Sequence, residues 1–401
     1  LGLAGGSQPR QIGRAGVLHR LEHRLPLLTG GARDLPARQQ TLSATCDWSY
    51  QLLDAPLQML FRQLAVFAGG FSFEGVEAVC TEPDGLAALV DQSLLSAGED
   101  PAGEPRFSIL GIIHDYALEL LKNNGEEPAF RRRHALYYLN LAERAEPELS
   151  GPNARFWLDR LEVELPNLRA ALNWSVASDA VELAASIASA LAVFWDLRGD
   201  QREGQRWLEA IQATGLPLSS GLHARLLRAL GYLAQARFDR NAAIAHLEAS
   251  LALYRELGDE RGCIAVLAEL GWAYAALDSD AERATVLLEE GLSRARHLND
   301  RSSIAQALQG LGWVAQLRAF GIQPGIQLVF TENALVKKPE HLDTARKLYA
   351  EALALRRATG DARGIAWLLQ SLGYAARVQG EYQAARAFQE ERLQLERTLG
   401  N

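Results

Sequence analysis

Along the second half of the chain, apolar residues recur three and seven positions apart, and this recurrence itself repeats. Leu227, Leu230 and Ala234 form one stripe, followed by Leu267, Leu270 and Tyr274, by Leu308, Leu311 and Ala315, and by Leu369, Leu372 and Ala376. Such spacing predicts helices with one buried face. Inside each stripe lies a short string, Leu230-Gly231-Tyr232, Leu270-Gly271-Trp272, Leu311-Gly312-Trp313 and Leu372-Gly373-Tyr374, at intervals of about 40, 41 and 61 residues. The longest interval is one repeat plus an insertion, residues 320 to 341. A second ladder keeps the same register: Leu257-Gly258-Asp259, Leu298-Asn299-Asp300, Thr359-Gly360-Asp361 and Leu399-Gly400-Asn401. Gly or Asn tolerates the left-handed backbone that ends a helix, and Asp caps the start of the next.

Glycine inside a helix costs about 1 kcal/mol relative to alanine, so its return in every stripe needs a cause. Close approach of a second helix supplies one, and segments such as Ala242 to Glu256 and Ala384 to Thr398 read as those partners. A helix pair cannot bury both of its apolar faces alone, whereas a stack of pairs can. Leu372-Gly373, Gly380-Glu381-Tyr382, Ala385 and Phe388 resemble the tetratricopeptide signature over residues 221 to 401, with repeats longer than that family's usual length. A Trp-bearing pair, Glu182 to Arg198 and Arg202 to Ala213, is expected to begin the stack. The expected fold class is all-α: a winged-helix domain followed by a right-handed α-solenoid of antiparallel helix pairs over 177–401.

The first half reads differently. Helices are expected at Thr41 to Leu53, Pro56 to Phe67, Ser72 to Cys80 and Gly85 to Ser93, with a break at Gly69-Gly70. A hairpin of Leu94-Leu95-Ser96 against Arg106 to Ile109 follows, and a helix from Ile113 to Leu121 closes the segment. Three helices and a hairpin describe a winged helix over 36–122. Acidic residues there outnumber Arg62, Arg106 and Lys122, so phosphate would be repelled and direct nucleic-acid contact is not expected.

The strings Leu35-Pro36-Ala37-Arg38-Gln39-Gln40-Thr41-Leu42, Asp47-Trp48-Ser49-Tyr50, Leu64 to Phe71, Trp157 to Leu161 and Asn167 to Leu172 resemble bacterial STAND-class, NB-ARC-related ATPase transcriptional regulators. The resemblance implies an N-terminal P-loop domain that holds ATP or ADP, a winged helix that locks it, and repeats that sense a ligand or partner. No G-x-x-x-x-G-K-[ST] occurs in this chain, so ATP or ADP would bind a domain missing here, and no cofactor is expected. Residues 1–35 then correspond to the remnant of a helical segment after that domain, and 123–176 to a helical connector. The family's nucleotide-contacting His-Asp pair finds a weak counterpart in His114-Asp115.

The remaining chemistry is sparse. Net charge is −8 with basic residues dispersed, and no apolar run has membrane-spanning length, which argues against nucleic-acid and membrane partners. Cys46, Cys80 and Cys263 are too scattered for a disulfide framework or zinc ribbon, and a reducing cytoplasm is the expected compartment. His19, Glu22 and His23 match an inverted zinc-peptidase spacing, but Leu18, Leu21 and Leu25 run an ordinary apolar stripe through them, so a surface helix is favoured over a zinc hydrolase. Arg131-Arg132-Arg133-His134 reads as the solvated face of a helix. Candidate binding residues lie opposite the apolar stripes: Arg228, Tyr232 and Gln235; Trp272; Gln309, Trp313 and Gln316; Gln370, Tyr374 and Arg377. Aromatic rings flanked by amides and guanidinium groups suit an extended peptide, so the expected function is non-catalytic: a groove for a protein, peptide or small-molecule inducer, or for self-association. A free-standing scaffold protein is the alternative.

Overall fold

The computed structural model describes residues 42–278, 280–321, 336 and 338–399. His19, Glu22 and His23, the 1–35 segment, Gly400 and most of the 320–341 insertion lie outside the described residues. The described chain is predominantly helical, with one three-stranded sheet. It divides into two compact units, residues 1–137 with 164–171, and residues 138–163 with 172–401. The expected connector, 123–176, is thus shared between them.

In the first unit, helices α1 (Leu42–Gln51) and α2 (Ala55–Gln63) precede strand β1 (Gly70–Ser72), followed by α3 (Phe73–Val79), α4 (Leu86–Asp91), strands β2 (Ser96–Glu99) and β3 (Pro105–Ser108), and α5 (Gly111–Asn123). Helix starts follow from chemistry: the Asp54 carboxylate accepts from Leu57 N, and the Ser72 hydroxyl from Gly75 N. The expected hairpin is present, but it starts at Ser96 and gains a third strand, in the order β1-β3-β2. At Gly69-Gly70 the sequence predicts a break. Gly69 does turn the chain, at φ 83°, yet the three residues after it pair with β3, with Phe71 opposite Phe107. A strand this short carries no alternation to read. Phe71 instead stacks on Phe67 at 4.8 Å inside a core with Leu60, Phe61, Val76 and Leu121.

A buried polar cluster fixes that strand. Helix α6 (Glu127–Glu148) supplies His134 and α8 (Leu165–Ala177) supplies Asn167; α7 is Ala154–Val163. The Asn167 carbonyl accepts from Ala68 N at 2.7 Å, while its amide donates to Gly70 O and to the Glu164 carboxylate, both at 2.8 Å. Arg106 closes the ring with bonds to Glu164 and to Gly70 O. His134, expected on a solvated face, is 1% exposed beside Asn167 and edge-on to Phe67. Burial holds its pKa down at about 3, so it is neutral in the fold.

The second unit continues with α9 (Val181–Ala190), α10 (Ala192–Leu197), α11 (Gln201–Ala213), and then the pairs α12/α13 (Ser220–Ala236, Arg240–Leu257), α14/α15 (Glu260–Ala273, Ala281–His297), α16/α17 (Arg301–Phe320, Pro339–Thr359) and α18/α19 (Ala362–Val378, Tyr382–Leu399). The helix expected over Glu182 to Arg198 is interrupted at Leu191, which is fully buried and serves packing over helix continuity. Within each pair the two helices pack along one another, and each pair packs on the next, as in a tetratricopeptide-like solenoid. The stripes are buried, Leu311 being the one half-buried member.

The recurring glycines explain how closely the pairs approach. A Cβ at Gly231 would stand 2.6 Å from Leu247 Cγ; at Gly271, 2.6 Å from Leu288 Cγ; at Gly312, 2.5 Å from the Tyr349 ring. Each neighbour lies on the second helix of the same pair. Gly258, Asn299 and Gly360 adopt left-handed φ of 67°, 53° and 72°, and Asp259, Asp300 and Asp361 cap the following helices through Gly262 N, Ser303 N and Gly364 N.

Two outcomes are expected. Gly231→Ala or Gly271→Ala lowers stability by about 1–3 kcal/mol through overpacking, whereas Gly221→Ala, whose Cβ meets nothing within 4 Å, is neutral or slightly stabilising; thermal melts compare them. Because the His134 pKa is depressed in the fold, the unfolded chain takes up a proton as pH drops below about 6.5 and the native chain does not, so stability is lost at up to about 1.4 kcal/mol per pH unit. Urea unfolding between about pH 7 and 5.5 shows this slope, and His134→Gln removes its share.

Candidate partner-binding face of the repeats

The predicted residues occupy the first helix of each pair, but the structure groups them into three different environments. At the first pair, Arg228 grips Glu269 in a bidentate ion pair, with N–O distances of 2.7, 3.0 and 3.1 Å. Glu269 is 6% exposed and Arg228 about a third, and the carboxylate raises the guanidinium pKa further. The Tyr232 hydroxyl donates to Asp196 at 2.8 Å, and Arg363 reaches the same carboxylate at 3.5 Å. Burial raises the Tyr232 pKa, so it remains a neutral donor. Gln235, one turn further along the same helix, is half-buried.

In the middle of the stack Trp272 and Trp313 lie against each other, ring centroids 5.5 Å apart. Trp367 closes on both, at 5.5 and 6.0 Å, and Tyr349 packs on Trp367 at 5.7 Å. Trp313 is 9% exposed, Gln316 is buried and accepts from the Tyr349 hydroxyl at 3.1 Å, and Gln309 is half-buried. The aromatic stripe is here the packing that joins the second, third and fourth pairs.

The third environment is open. Gln370, Tyr374 and Arg377 line a cleft of about 390 Å³ on the last pair, completed by Tyr382, Arg386, Gln389 and Arg392 of α19. Tyr374 lies tilted against Phe320, centroids 5.7 Å apart, and beneath the Arg377 guanidinium, 5.4 Å from the ring centre.

Several participants were not anticipated. Trp367 is seven residues before Tyr374 and therefore on the same helix face, a signal that spacing carries. Glu269, Asp196 and Arg363 gave no such signal, because their relevance is a long-range pairing. His114, the nucleotide candidate, points a ring nitrogen at Phe67 O, 2.9 Å away. The three cysteines are buried, and burial pushes the Cys80 thiol up to about 12, so it is a poor nucleophile. Among the described residues no group of His, Cys, Asp and Glu is placed to hold a metal ion, and no described helix is long and apolar enough to cross a membrane.

No protein-family model matches the chain. A protein of Mycobacterium tuberculosis (strain ATCC 25618 / H37Rv), provisionally named an HTH-type transcriptional regulator, is 34% identical over 302 residues, 71% of this chain and 34% of the relative. The chain therefore spans about a third of the length of that relative. Among solved structures, BtubC from P. vanneervenii is 18% identical, with a TM-score of 0.43 over 58% of this chain and 91% of that one. A STAND protein with a tetratricopeptide repeat sensor from Pyrococcus horikoshii is 15% identical, with a TM-score of 0.34 over 93% of this chain and 64% of that one. The solenoid assignment rests on this chain's own helix pairs.

Arg228→Ala leaves Glu269 buried without its cation and is expected to cost about 2–3 kcal/mol, below the full loss for a wholly buried pair because Arg228 retains some water contact. Arg228→Met with Glu269→Met recovers much of that loss, measured by urea denaturation.

Proposed function

We propose that this chain is a non-catalytic, regulatory partner-binding portion of a STAND-type transcriptional regulator, in which residues 36–122 act as a winged helix and the solenoid receives a protein or peptide. The single observation that carries the reading is the 34% identity over 302 residues to a protein named as a transcriptional regulator, running through both units. The acidic first unit favours contact with protein over contact with DNA, and ATP or ADP would be held by a domain outside this chain. His114 is engaged with Phe67 O and is a packing group in this reading, not a nucleotide ligand.

Of the candidate binding residues, Gln370, Tyr374 and Arg377 are the ones around an open cleft, so partner contact is assigned there first. Trp272 and Trp313 serve the same function indirectly, by holding the last pairs in place.

Calorimetry of the 401-residue chain with ATP and with ADP is expected to give no binding heat, and affinity capture from bacterial extract to lose specific partners when Gln370→Ala and Arg377→Ala are combined. Submicromolar nucleotide binding, or capture of the same proteins by the variant, would sink the reading.

A further inference from the structure

The last pair departs from the others at one position. Leu247, Leu288 and Tyr349 lie under Gly231, Gly271 and Gly312, whereas an amide, Gln389, lies under Gly373: a Cβ on that glycine would be 2.8 Å from Gln389 Nε2. An apolar plug is replaced by a hydrogen-bonding group in the cleft wall. Its carbonyl is occupied, accepting from Arg392 Nε at 3.1 Å, so the part of Gln389 left for a ligand is the donor.

The rest of the wall has the same polarity. Three guanidinium groups, Arg377, Arg386 and Arg392, line the cleft together with two amides and two phenols, and no carboxylate residue is among the lining. Arg386 and Arg392 each pair with a glutamate one turn along their helix, Glu390 at 2.8 Å and Glu396 at 3.0 Å. Arg377 has no carboxylate partner among the described residues; its guanidinium is held over the Tyr374 ring. An oriented guanidinium without a counter-ion, beside amide donors, is a receptor for a carboxylate.

We propose that this cleft binds an acidic peptide segment through an Asp or Glu carboxylate seated between Arg377 and Gln389. The proposal rests on the partner-binding reading above and names its chemistry. A peptide is favoured over a nucleic acid by the surroundings: Glu390, Glu391 and Glu396 lie on the cleft helix α19, Glu381 immediately precedes it, and the chain carries a net charge of −8. A continuous polyphosphate would meet those carboxylates, whereas a single carboxylate among apolar or neutral neighbours would not.

The test uses the 401-residue chain and fluorescein-labelled, C-terminally amidated probes of eight residues: a single Glu among Gly and Ala, the same with Gln for Glu, and the same with Lys. Fluorescence anisotropy is expected to show saturable binding of the Glu probe alone, weakening with added salt. Arg377→Ala is expected to weaken it about tenfold or more, Arg377→Lys by less, and Gln389→Leu, which restores the apolar residue of the other pairs, to weaken it with an unchanged or higher melting temperature. Equal binding of the Glu and Gln probes, or full affinity in Arg377→Ala, overturns the proposal, as does displacement of the Glu probe by a single-stranded oligonucleotide at lower concentration than by unlabelled Glu peptide. Loss of natural partners in the combined Gln370/Arg377 variant, with no Glu-probe binding, would reject the carboxylate chemistry alone. Glu-probe binding with partner capture unaffected would reject the wider reading of the cleft.

Discussion

The second unit depends on helices approaching until one side chain would be too much. Gly231, Gly271 and Gly312 give up the helix-stabilising methyl of alanine so that Leu247, Leu288 and Tyr349 can press against bare backbone. The resulting contacts bury the Leu stripes, and with them the polar groups on neighbouring turns are brought into fixed registers. A stack built this way is cooperative between neighbours and has no independent core within any one pair.

That packing also decides what the aromatic residues do. An indole on a solvent-facing wall could hold a ligand, but here three of them pack on one another across successive pairs at 5.5 to 6.0 Å. On the last pair the second helix lines an open cleft with Arg386, Gln389 and Arg392, and among its described residues Ala385 is the buried one. The first unit solves a different problem by similar means: a three-residue strand, too short to hold itself, is fastened by Asn167, Glu164 and Arg106. Because every polar atom of that amide is used, the cluster is specific as well as stabilising.

The three cysteines are buried with their thiols held protonated, the buried His134 is neutral, and Arg228 is engaged with Glu269. In the proposed reading an incoming partner meets the polar cleft of the last pair, where Arg377 has no carboxylate partner among the described residues. Its selectivity would come from charge sign and shape, not from a reacting group.

Local chemistry written along the chain determined the helices and their ends. The Leu stripes, the Gly-Asp punctuation at 258–259 and 360–361, and the glycine in each stripe have a spacing that only stacked helix pairs satisfy, because helix periodicity and capping act over three or four residues. A hairpin was legible from its turn-rich centre, but its first strand, read at Leu94 to Ser96, runs from Ser96 to Glu99, because only pairing with Pro105–Ser108 fixes the register. Strand Gly70–Ser72, the burial of His134, the Arg228–Glu269 pair and the meeting of Trp272, Trp313 and Trp367 were settled by tertiary structure. They join residues tens of positions apart, and no local periodicity records which of two exposed-looking side chains will find the other when the faces close.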